Sequence, residues 1–142
     1  MKKVICVFVL GVVLLLCLYA CSQKEVKAGS VKILADGQEY APLSNLIFSL
    51  KDGLAADAER KQPAAIENEL TVISVKDDIS VLIEGETPGV YTLFNEELKE
   101  LYYRSDHFEV PAESGVFICS IEVTWGDETE YKGYQYFFKF AK

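Results

Sequence analysis

Residues 116 to 125, Val116-Phe117-Ile118-Cys119-Ser120-Ile121-Glu122-Val123-Thr124-Trp125, alternate with a period of two. Phe117, Cys119, Ile121, Val123 and Trp125 fall on one side, and Val116, Ile118, Ser120, Glu122 and Thr124 on the other. A strand turns successive side chains to opposite faces, so this run reads as a strand with one buried face. Gly126-Asp127-Glu128-Thr129 supplies turn residues. After it Tyr134, Tyr136, Phe138 and Phe140 share one face, with Gln135, Phe137 and Lys139 on the other. The two long strands are expected to pair antiparallel as the centre of a sheet.

Working outward, nearly every segment after Ser30 is a short apolar run closed by turn residues. Val31 to Leu34 ends at Asp36-Gly37, and Leu46 to Leu50 ends at Asp52-Gly53. Leu54 to Lys61 is alanine-rich and charged, which favours a short helix that Pro63 would stop. Leu70 to Val75 and Ile79 to Glu84 are rich in β-branched residues and read as a hairpin through Lys76-Asp77-Asp78. Thr87-Pro88-Gly89-Val90 has the proline and glycine of a type II turn, followed by a strand to Phe94. Asn95 to Arg104 fits either a capped helix or a turn feeding a strand; the surrounding strands favour the hairpin. So many short strands with so little helix imply an all-β antiparallel sandwich of about 7 to 9 strands.

A narrower likeness lies in Glu113-Ser114-Gly115-Val116-Phe117-Ile118-Cys119. It resembles the Asp-x-Gly-x-Tyr-x-Cys signature that opens strand F of immunoglobulin domains, which implies an immunoglobulin-like sandwich. Glu113 stands for the aspartate, Phe117 lacks the tyrosine hydroxyl, and no cysteine upstream in the domain completes an intersheet disulfide. The C-terminal stretch from Phe108 through Gly133-Tyr134-Gln135-Tyr136-Phe137-Phe138-Lys139 is similar to small bacterial surface lipoproteins with an immunoglobulin-like domain. That resemblance implies compartment and fold and brings no catalytic motif.

The N-terminus agrees with an exported protein. Lys2 and Lys3 precede an uncharged run from Val4 to Leu18, and Ala20 is the small residue before a cleavage point. The run is shorter than the roughly 20 residues needed to span a bilayer. Leu18-Tyr19-Ala20-Cys21 resembles the lipobox of bacterial lipoproteins, which implies diacylglycerol on Cys21, its two acyl chains of the palmitate kind. The expected organisation is a signal peptide over residues 1–20, a lipidated Cys21 with a flexible tether to residue 30, and the sandwich over residues 31–142. Loss of Cys6 and Cys17 with the signal and acylation of Cys21 leave Cys119 alone, so the core must stand without a disulfide. The location that follows is the extracytoplasmic face of the cell membrane, with the lipid as anchor.

The 142 residues, half of them apolar, exclude a long disordered chain and more than one sizeable domain. Of 14 basic and 22 acidic side chains the signal removes two lysines, leaving a mature balance of -10. Nucleic acid is therefore an unfavourable partner. Chemistry is poorly supplied. The one histidine, His107, is flanked by Asp106 and by Phe108-Glu109 with no nucleophile motif, and Cys119 sits on the core face, where a thiol is inert. The carboxylates Asp127, Glu128, Glu130, Asp77 and Asp78 lack the spacing of a calcium loop, so no catalytic residue, metal or cofactor is assigned. Aromatic residues are the remaining signal. Trp125 is expected in the core or at its rim, and with Tyr131, Phe137, Tyr102 and Tyr103 it forms the candidate binding surface. The expected function is a membrane-anchored binding or interaction module for a protein partner or a cell-surface glycan. The alternative is a small cell-envelope hydrolase, or an accessory subunit of an envelope enzyme or sensor.

Overall fold

The computed structural model describes residues 26–104 and 107–142; the signal, Cys21 and the first half of the tether lie outside the described residues. Among the described residues the fold is an all-β sandwich of ten strands: β1 (Val31–Ala35), β2 (Gln38–Tyr40), β3 (Leu43–Lys51), β4 (Leu54–Asp57), β5 (Val72–Ser74), β6 (Ile79–Ile83), β7 (Gly89–Phe94), β8 (Glu100–Arg104), β9 (Val116–Gly126) and β10 (Tyr131–Ala141). Two of them, β2 and β5, are only three residues long, which brings the count past nine. One sheet has the order β2-β1-β6, the other β4-β3-β10-β9-β7-β8. Every pairing is antiparallel except that of β5 with β10. β7, β9 and β10 lie side by side in the larger sheet, with β9 between the other two.

Val116 to Trp125 lies at the centre of the molecule. β9 and β10 pair over eleven register positions from Gly126 opposite Tyr131 to Val116 opposite Ala141. Their turn is built by Asp127, whose carboxylate accepts from the Thr129 and Glu130 amides and the Thr129 hydroxyl. Gly126 has φ 117°, and a Cβ there would come within 2.2 Å of the Glu130 carbonyl oxygen, so only glycine closes this loop. The inward row Phe117, Cys119, Ile121, Val123 and Trp125 joins Tyr136, Phe138 and Phe140, and Val31, Ile33, Ala35 and Ile79 of the smaller sheet close over them. Phe117, of the immunoglobulin-like motif, packs its ring 5.3 Å from that of Phe140.

Local turn chemistry explains the shorter hairpins. Asp36-Gly37 and Asp52-Gly53 have positive φ at both residues and join paired strands directly, the geometry of two-residue hairpin loops. Between β7 and β8 the Asn95 side chain accepts from the Lys99 amide at 2.9 Å, and Leu98 takes φ 59°. The hairpin reading of Asn95 to Arg104 therefore holds.

Three expectations are corrected. Leu54 to Lys61 is not helical: the Asp52-Gly53 turn folds Leu54–Asp57 back on β3 as an exposed edge strand. Among the described residues one α-helical turn, α1 (Pro63–Ile66), begins at Pro63 instead of ending there, since a first-turn position loses no hydrogen bond to proline. Gly89 forms no type II turn; positive φ falls on Gly85, and Gly89 opens β7, where a Cβ would come within 2.8 Å of Ile83. β5 and β6 do not pair with each other; they join different sheets. What holds the link between them is Asp36, whose carboxylate accepts from the Lys76, Asp77 and Asp78 amides at 2.8 to 3.1 Å. These bonds hold its carboxyl below the ordinary value of 3.8.

The outward face of the central strands is crossed by the chain from residue 58 to residue 70. Asn45 donates to the Glu59 carbonyl, and the Arg60 guanidinium meets the Glu122 carboxylate at 3.1 Å. The buried Gln135 accepts from the Lys61 amide at 3.0 Å and donates to the Lys61 carbonyl and the Ser120 hydroxyl at 3.2 Å. Lys139 pairs with Glu67 at 3.0 Å. Beneath this strap Ile66 packs with Ile118 and Phe137 in a second core, flanked by Leu43, Leu70, Phe94 and Leu98.

Candidate functional site

The five aromatic residues expected at a binding surface do not come together. Phe137 is fully buried under the strap and leaves the candidate surface. Trp125 is 6% exposed, and its indole N–H donates to the Tyr136 hydroxyl at 3.3 Å. Its ring lies so close to Gly29 that a Cβ at that position would come within 2.5 Å. The last tether residues thus cap Trp125, and the Ser30 amide is fixed by the Glu84 carboxylate at 2.8 Å. Tyr131 is half-buried, edge-on to Phe48 at 5.7 Å between ring centres. Tyr102 faces the core side, and its hydroxyl donates to the Glu109 carbonyl and accepts from the Glu109 amide. Only Tyr103 is open, 65% exposed on β8 beside Leu101 at 48%.

Concavities open beside Tyr102 and beside Phe137. A shallow hollow of about 230 Å³ runs between β8 and residues 109–112, with Leu101 and Tyr102 on one wall and Pro111 on the other. A larger cleft, about 440 Å³, opens where the edge of β10 changes partner. β3 follows β10 as far as Phe137 opposite Leu43, and β5 takes over at Lys139 opposite Val72. Phe137 and Phe138 floor the gap, the chain from Tyr40 to Leu43 forms one wall, and Leu70, Thr71 and Ile73 the other. The size is that of a small-molecule site, and the lining favours an apolar body. Its ionisable lining groups are Glu69 and Tyr40, whose hydroxyl donates to Gln38 at 2.9 Å. Sequence periodicity gave no sign of this cleft, because it arises from a change of strand partner between residues far apart in the chain.

The groups weighed for chemistry are separated. His107 is exposed in the loop after β8, and Asp106 lies outside the described residues. Cys119 is fully buried, and burial pushes its thiol well above the usual range, so the thiolate that a nucleophile needs is suppressed. Asp127 spends one carboxylate oxygen on its own turn, which holds its carboxyl below the usual range. Among the described residues no three His, Cys, Asp or Glu side chains gather to hold a metal ion. Nor is any helix there long and apolar enough to cross a membrane. No family model, curated protein or solved structure matches the chain.

Proposed function

We propose that this chain is a lipid-anchored binding module on the extracytoplasmic face of a bacterial membrane, held by diacylglycerol on Cys21 and engaging a protein partner through β8. The observation that carries the interaction reading is the exposure of the Leu101 and Tyr103 side chains on β8 beside a hollow, since adjacent exposed apolar side chains mark contact surfaces. A protein is favoured over a glycan because sugar stacking is served by several open ring faces, and of the five aromatic residues only Tyr103 offers one. The anchor reading is supported by Lys2, Lys3, the apolar run and Leu18-Tyr19-Ala20-Cys21. The envelope-hydrolase alternative draws little from the larger cleft, whose lining holds Glu69 and the Thr71 hydroxyl but no histidine or lysine to serve as base.

A photo-crosslinking residue at position 103 of the full chain in intact cells tests the interaction. Adducts to another polypeptide, lost with Leu101→Ser, support it; absence of any adduct, or adducts indifferent to Leu101→Ser, contradicts it. Cys21→Ala should shift the protein out of the membrane fraction or leave it unprocessed, since two acyl chains supply the stable anchor that one cannot.

A further inference from the structure

Among the described residues strands β2, β4, β5, β6 and β8 each leave one side without a strand partner. Exposed edges recruit other strands unless they are short, charged, bulged or interrupted by proline. β2, β4 and β5 run only three to four residues, and β2 carries Glu39, paired with Lys32 at 2.8 Å. β8 has Glu100, and its pairing with β7 is broken by a bulge between Leu93 and Phe94. β6 has none of these devices. Ile79-Ser80-Val81-Leu82-Ile83 contains no charge and no proline, and pairs with β1 through five unbroken register positions. Leu82 is 53% exposed and Ser80 is exposed. Among the described residues no backbone hydrogen bond outside the β1 ladder reaches these five residues.

The ends of this strand carry charge. Asp77 and Asp78 precede it and Glu84 follows it. We propose that the open side of β6 takes up, as an added strand, an extended segment of another protein that is apolar or β-branched in its middle and basic at both ends. Backbone pairing would supply the affinity, and the acidic ends would select the charge. A second copy of the chain fits poorly. Antiparallel pairing about Val81 sets Asp78 of each copy opposite Glu84 of the other, and parallel in-register pairing sets each acidic end beside its own copy. This edge belongs to the smaller sheet, and the inference stands independently of the β8 surface.

The test uses the full chain in detergent micelles and three synthetic peptides: Lys-Val-Thr-Val-Thr-Val-Lys, the same sequence with glutamate at both ends, and the lysine form with proline at its centre. Hydrogen exchange should slow at amides of β6 with the first peptide. Reversing the end charges should weaken binding about tenfold, two cross-strand charge pairs turning from attraction to repulsion. The proline peptide should not bind, and Leu82→Lys should abolish protection while leaving the Tm unchanged. Protection mapped to β8, equal binding by the glutamate peptide, or concentration-dependent protection of β6 without any peptide would each overturn the proposal, the last by making a second copy the occupant.

Discussion

The two faces of the β9–β10 hairpin are both buried, yet by different means. The inward face is covered by a second sheet and carries an uninterrupted apolar row from Phe117 to Trp125. The outward face is covered by the strap of residues 58–70, and its side chains are mixed: Ile118 and Phe137 under the strap, Ser120, Glu122, Gln135 and Lys139 bound to it or to one another. A sheet presents one uniform chemistry, and the row packed against it becomes uniform. A crossing loop presents amides, carbonyls and charges along with Ile66, so the face below must alternate apolar and polar groups to satisfy them. Such a face resembles a solvent face when read as sequence.

The contrast can be broken by mutation. On the inward face, Trp125→Ala removes a large buried side chain and should cost about 3 to 5 kcal/mol, read as a fall in the denaturation midpoint. An unchanged midpoint would make the Trp125 rim a surface after all. On the outward face, Gln135→Ala strips the Lys61 amide and carbonyl of their partner and should cost about 1 to 3 kcal/mol. A neutral result would mean that the strap is held by packing alone. At its exposed margin Arg60→Ala should change stability by no more than about 1 kcal/mol, since a solvent-exposed ion pair is weak and salt-screened.

Asp36 sharpens the comparison from outside the hairpin, because it ties the β1–β2 turn to the loop before β6 through three amide bonds. Its carboxyl is held below its ordinary value by those bonds, so the stabilisation is fully present above the unfolded-state value. It is lost as pH falls through the lower folded value. Asp36→Asn should therefore be less stable than the wild type at neutral pH, with the gap closing in acid. A gap independent of pH would assign the effect to the turn rather than to the charge.

Much of the fold was legible because its information is local. The alternation of β9 and β10, the Asp-Gly turns and the Asn95 turn each lie within a few residues of the structure they specify. What misled depended on distant partners. An alanine-rich run became β4 only because the preceding turn returned it to β3, and the β-branched runs of β5 and β6 were drawn to different sheets. Phe137 looked free for a surface role because nothing near it in sequence announces the strap. Of the site, Tyr103 was found by elimination, whereas the cleft beside Phe138 and the open edge of β6 exist only once strand order is known.

The claim on which the placement of any contact surface depends is that the strap seals the outward face and leaves recognition to the edges. Paired denaturation of the full-length Phe137→Ala and Tyr103→Ala variants tests it most directly. Phe137→Ala should lose about 3 to 5 kcal/mol, as a buried core aromatic does, while Tyr103→Ala stays within about 0.5 kcal/mol of the wild type. A Phe137→Ala variant as stable as the wild type would contradict the account and return the outward face of β10 to the surface.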